Sequence, residues 1–155
     1  PSDPAAGRAE LIAALRRADR RVVAAGATLT AGSPDAEFHD LRKRAKALRY
    51  LLDAVGRGPD TAAFDALHAE LKALQDTLGV VQDTAVQRDL LRRLSAGERD
   101  AAGQGAAERL AQRIELRGRE ARSAVPPGIV ALVDRGRAFW SGLDAVVGEK
   151  TTPAS

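Results

Sequence analysis

The stretch Phe38-His39-Asp40-Leu41-Arg42-Lys43-Arg44-Ala45-Lys46-Ala47-Leu48-Arg49-Tyr50-Leu51-Leu52 decides the fold class. Phe38, Leu41, Ala45, Leu48 and Leu52 recur at intervals of three and four, and Val55 extends the row. A chain turning about 100° per residue gathers such positions on one side of a helix, whereas a strand would alternate every second residue. A helix is therefore predicted over 35–55. Gly32-Ser33-Pro34-Asp35 is a turn in which Ser33 or Asp35 can cap the helix, with Pro34 in its first turn, and Gly56-Arg57-Gly58-Pro59-Asp60 stops it.

The same periodicity spreads outward. Leu11, Leu15, Ala18, Val22, Ala25 and Leu29 predict a first helix over 8–30. Phe64, Leu67, Leu71, Leu74 and Leu78, continued past Gly79 by Val81, Ala85, Leu90, Leu91 and Leu94, predict one long third helix from 61 to 95. A Gly-containing loop over 96–105 leads to a fourth helix, 106–123, that buries Ala107, Leu110, Ala111, Ile114 and Ala121. Val125-Pro126-Pro127-Gly128 reads as a break, because proline removes a backbone donor and clashes with the preceding turn. A fifth helix over 129–147 carries Ile129, Leu132, Val133, Phe139, Trp140, Leu143, Val146 and Val147. No segment alternates like a strand. The expected fold is all-α: an antiparallel bundle of four to five helices forming one domain over 8–147, with flexible termini at 1–7 and 148–155.

Composition narrows the function classes. The chain has 155 residues, of which 45% are hydrophobic, enough to bury a core. It has no cysteine, which excludes disulfides and thiolate metal sites. No apolar run reaches the ~18–20 residues of a membrane span, and the start lacks a signal-peptide pattern, so a cytoplasmic protein is expected. Net charge is only +3, but the bases are mostly arginine, the lysines being Lys43, Lys46, Lys72 and Lys150. Arginine forks onto phosphate oxygens, although codon bias alone also enriches it. Placement has to decide.

On the second helix His39, Arg42, Lys43, Lys46, Arg49 and Tyr50 project to one side, opposite the apolar row, and Asp53 continues the stripe with negative charge. Arg42, Lys43, Lys46 and Arg49 stand at i, i+1, i+4 and i+7 with no acid among them. An ordinary solvated face usually interleaves acids at these spacings to gain ion pairs. The stripe therefore meets either acids of another helix or an external anion. On the third helix His68, Lys72, Gln75 and Asp76 flank the leucine row, and Asp83 follows Asp76 by seven residues. Asp76 and Asp83 can pair with bases of the second helix. Lys72 can join an anion site or simply face solvent. Arg16, Arg17, Arg20 and Arg21 of the first helix read as a solvated surface.

Two motifs in this order resemble a known family. His39-x-x-Arg42-Lys43-x-x-Lys46-x-x-Arg49-Tyr50 is followed by Leu74-Gln75-Asp76-Thr77-Leu78-Gly79 and then Asp83. Over residues 36–95 the chain resembles the CHAD family, the conserved histidine α-helical domain. The resemblance implies an all-helical fold, binding of inorganic polyphosphate and association with polyphosphate granules. It implies that His39, Arg42, Lys43, Lys46 and Arg49 contact polyphosphate, with Lys72 a neighbour by spacing, and that Tyr50, Gln75, Asp76 and Asp83 support them. CHAD domains carry the histidine-and-base helix in both of two halves around a basic cavity. Here it occurs once, so the chain resembles the C-terminal half or a half-sized member, and either a homodimer or a separate second half is an expected partner. A CYTH-type triphosphate tunnel domain is a further expected partner.

The residue types suit this chemistry. Basic groups ~5–6 Å apart on a helix face can meet successive phosphates and release counterions. His39 can donate a hydrogen bond when neutral and add charge when protonated, although a packing or capping histidine has the same spacing. No catalytic residue, metal site or cofactor is expected: Asp40 and Asp53 stand at opposite ends of the stripe, no glycine-rich phosphate loop is present, and His39 and His68 form no metal-spaced cluster. The alternatives are a helical nucleic-acid-binding module, for which base-stacking aromatics are scarce, and a structural interaction protein whose stripe is satisfied by its own acids.

Overall fold

The structure, a computed structural model, describes residues 4–57, 60–97 and 100–149, the side chains of 146–149 excepted. It contains four helices and, among the described residues, no strand: α1 Pro4–Ala27, α2 Asp35–Val55, α3 Thr61–Ser95 and α4 Ala101–Glu149. Each helix packs antiparallel to the next in the chain, and α4 also packs on α1. The all-α bundle expected from the sequence is thus present.

The bounds of α2 and α3 match the sequence reading, and the turn between them shows why. Gly56, with φ of 72°, donates its N–H to the Leu52 carbonyl and ends α2. This is left-handed backbone that favours glycine. The Asp60 side chain then accepts from Ala63 N at 2.9 Å and caps α3. At the start of α2 neither expected cap forms. Ser33 Oγ accepts from Thr30 N instead, at 3.2 Å, and Pro34 stands before the first helical residue. Asp35 and Glu37 in the first turn complement the helix dipole.

Of the positions expected to be buried over 106–123, Ala121 is buried, Ala107 and Ile114 are half-buried, and Leu110 and Ala111 are exposed. Three readings of helix bounds also need correction. First, α1 begins at Pro4, not 8, because proline suits the first helical position. It ends at Ala27, and Leu29 reaches the core from the loop, 5% exposed. Second, residues 101–105 are helical rather than loop. Asp100 initiates α4 by accepting from Gly103 N on its carboxylate and from Gln104 N on its carbonyl. Third, Pro126 and Pro127 do not break the chain; both lie inside α4, so there is no separate fifth helix.

The proline reading failed for a physical reason. An interior proline costs about 3 kcal/mol. Against that, Gly118, Ala121, Val125, Ile129, Leu132, Gly136, Phe139 and Leu143 are all buried on α4. Their intervals of three and four run through the prolines without a phase slip. A break would turn one half of this row away from α3. Arg122, one turn before Pro126, adds an anchor. It ion-pairs with Asp35, donates to the Ser33 carbonyl at 2.7 Å, and lies 4.8 Å from the Phe38 ring. Arg88 of α3 meets the same Asp35 at 2.6 Å. Two arginines thereby fix the start of α2 to α3 and α4.

The core runs from Leu15 and Val22 of α1 through the α2 and α3 rows to Leu132 and Phe139 of α4. Gly26 lets α1 approach α4 closely, since a Cβ there would overlap Ile129. The expected core positions Val146 and Val147 have side chains outside the described set, as do residues 1–3 and 150–155 of the expected flexible termini; Gly148 lies within α4.

Candidate functional site

Three side-chain contacts set the register of α2 against α3. His39 Nδ1 lies 3.0 Å from Gln82 Oε1, Gln75 Nε2 donates to the Ala45 carbonyl at 2.9 Å, and His68 Nε2 lies 3.1 Å from Asp53 Oδ1. Between them a groove of about 420 Å³ opens along the helix pair. Arg42, Lys46 and Arg49 form its α2 wall, and Gln75, Asp76, Gly79, Val80 and Asp83 its α3 wall. The floor is open at Gly79, where a Cβ would meet nothing within 4 Å.

The structure divides the sequence-predicted stripe. Arg42, Lys46 and Arg49 point into the groove, and none has a carboxylate partner among the described residues. Lys43 lies on the outer face, 3.7 Å from Asp40 Oδ1. Asp40 also accepts from Arg44 Nε at 2.7 Å; that hydrogen bond first, then the Arg44 charge and after it the Lys43 charge, hold its carboxyl below the usual range. Lys72 is not part of the groove lining, because Asp76 of its own helix takes it at 2.7 Å. Asp76 and Asp83 share the groove with the α2 bases but form no ion pair with them, contrary to the pairing expected across the helices. Asp83 has no hydrogen-bond or ion-pair partner among the described residues.

Arg49 carries an unusual atom. Its Nε is buried and has no hydrogen-bond partner. A buried donor without an acceptor costs about 1–3 kcal/mol. The guanidinium lies 5.5 Å from the Tyr50 ring and Lys46 Nζ lies 5.7 Å from it, so Tyr50 is a cation–π support for both. Tyr50 itself is 55% exposed.

Sequence reasoning missed Gln82 and Val80. Gln82 had a signal: it stands seven residues after Gln75 and so shares its face. His39 reaches this site as a hydrogen-bonding partner of α3 at the groove's end. Among the described residues no group of three or more His, Cys, Asp or Glu is placed to hold a metal ion, and no helix is long and apolar enough to cross a membrane.

Arg42, Lys46 and Arg49 of the α2 motif and Gln75, Asp76, Gly79 and Asp83 of the α3 motif thus lie on facing walls. The CHAD domain family model matches residues 1–92, more than half of the chain. The chain belongs to the CHAD domain family. No curated protein and no solved structure matches it significantly. The family match spans α1, α2 and nearly all of α3, and so includes every CHAD motif residue of the groove.

Proposed function

We propose that this CHAD chain binds inorganic polyphosphate in the α2–α3 groove, without chemical turnover. The observation that carries the reading is the cationic wall: Arg42, Lys46 and Arg49 line one groove with no carboxylate partner among the described residues, and Arg49 Nε is a buried donor with no acceptor among them. Arg42 and Lys46 are exposed, so their head groups can meet phosphate oxygens directly. The CHAD family is associated with polyphosphate binding.

Chemistry supports this division of labour. Arg42 and Arg49 give forked, directional contacts, and Lys46 between them gives an adaptable point charge. One helical turn separates neighbours, so successive phosphates of an extended chain can meet successive bases without folding of the protein. Asp76 and Asp83 make the opposite wall repulsive toward phosphate, which confines the polyanion to the α2 side. Lys72 tempers this by holding Asp76. His39, donating from Nδ1 to Gln82, ties the start of α2 to α3 beside the groove. Asp76 is engaged by Lys72 and Asp83 stands two turns away, so the carboxylates are arranged as a wall rather than as a catalytic pair. Association with polyphosphate granules follows from such binding.

Titration with polyphosphate, competed by single-stranded nucleic acid at equal phosphate, tests the proposal. Preference for polyphosphate supports it. Preference for nucleic acid would favour stacking on the exposed Tyr50 instead.

A further inference from the structure

Beyond the groove, α3 runs past the first turn of α2 and exposes a ridge. Val86 is 56% exposed, Leu90 54% and Leu94 68%. Neither neighbouring helix covers this side. Arg88 already meets Asp35 at the start of α2, and α4 packs beside Arg88, Leu91 and Ser95. Exposed branched residues recurring on one line of a helix are a seam without its partner.

The ridge has a symmetry of its own. Asp83, Val86, Leu90 and Arg93 are spaced three, four and three residues apart. Reading from either end gives charge, apolar, apolar, charge, with the sign reversed. When two such helices pair antiparallel about a twofold axis, Val86 of one faces Leu90 of the other and Asp83 faces Arg93. Both charges are free to do so. Asp83 has no partner among the described residues. Arg93 lies 2.5 Å from Asp89, but Asp89 also holds Arg92 and keeps a cation if Arg93 turns away.

We propose that the chain forms a homodimer through antiparallel pairing of the α3 ridges, Asp83-Val86-Leu90-Arg93 against itself. The dimer is independent of the polyphosphate reading. One consequence does rest on that reading: two grooves flank one seam, so a long polyphosphate engages both and gains from the linkage.

Analytical ultracentrifugation without polyphosphate tests the dimer. The wild-type chain should sediment as a dimer at micromolar concentration. Leu90→Glu should weaken association by about a hundredfold or more, since each dimer buries two copies of the residue. At concentrations too low for wild type to dimerise its thermal melt should match wild type, because Leu90 is exposed in the single chain. Asp83→Arg alone and Arg93→Asp alone should each associate less than wild type, having like charges across the seam. An equimolar mixture of these two variants should associate again, because both cross-seam pairs become opposite in sign. A monomeric wild type, a dimer that survives Leu90→Glu, or a mixture no tighter than its components would each overturn the proposal.

Discussion

Replacing Arg49 by methionine should make the protein more stable and a weaker binder. The opposite signs are the point of the substitution. Arg49 Nε is buried without an acceptor, and removing such a donor returns up to about 1–3 kcal/mol. Loss of the Tyr50 contact takes back about 0.5–1 kcal/mol. Methionine keeps most of the side-chain volume, so the net gain should be about 1 kcal/mol. Binding loses one phosphate contact. At about 0.1 M salt, ~0.7 counterion per phosphate and ~1.4 kcal/mol per decade of concentration give about 1 kcal/mol, a fivefold weaker dissociation constant. Urea melts followed by circular dichroism read the first effect, and fluorescence anisotropy with labelled polyphosphate reads the second. Destabilisation by more than about 1 kcal/mol would show that Arg49 serves the fold, and the argument from its empty donor would fail.

Further substitutions test the scaffold. Arg122→Ala should cost about 2 kcal/mol in chemical melts, because it frees the Ser33 carbonyl and removes one of the two arginines on Asp35. Pro126→Ala should stabilise by about 1–2 kcal/mol with undiminished helicity, since it restores a donor inside a continuous α4; a loss of stability would mean the prolines terminate a helix after all. Burial raises the Asp19 carboxyl above its ordinary 3.8, against the Trp140 hydrogen bond and the Arg20 and Arg16 charges. The folded state therefore favours the protonated form, and wild type gains stability as pH falls from that raised value through 3.8. Asp19→Asn keeps the acceptor for Trp140, so it should equal or exceed wild type in melts at neutral pH and lose that advantage in acid.

Much of this architecture was legible in the sequence because local signals agreed. The apolar rows of α2 and α3, glycine at 56 and aspartate at 60 all place the same turn. At α4 two local signals misled: the glycines at 103 and 105 suggested a loop, and Pro126-Pro127 suggested a break. The contrary signal was also present, as an apolar row that keeps phase from Ala121 through Val125 and Ile129 to Leu132. Its weight came from packing against α3, which a single helix pattern does not contain. The basic stripe shows the same limit. Periodicity gathers Arg42, Lys43, Lys46 and Arg49 on one side, but only the position of α3 decides which edge becomes a groove. Lys43 falls on the outer edge. Lys72 was separable in principle, since Asp76 stands four residues after it, the spacing of a helical ion pair.

The central claim is that three unpaired bases in one groove hold successive phosphates. The salt dependence of polyphosphate affinity tests it most directly. Three groove bases, or four contacts with His39, predict a slope of log affinity against log salt of about −2 to −3. The same titration with single-stranded nucleic acid at equal phosphate should give weaker binding. A slope near zero, or tighter binding of nucleic acid throughout, would contradict the account.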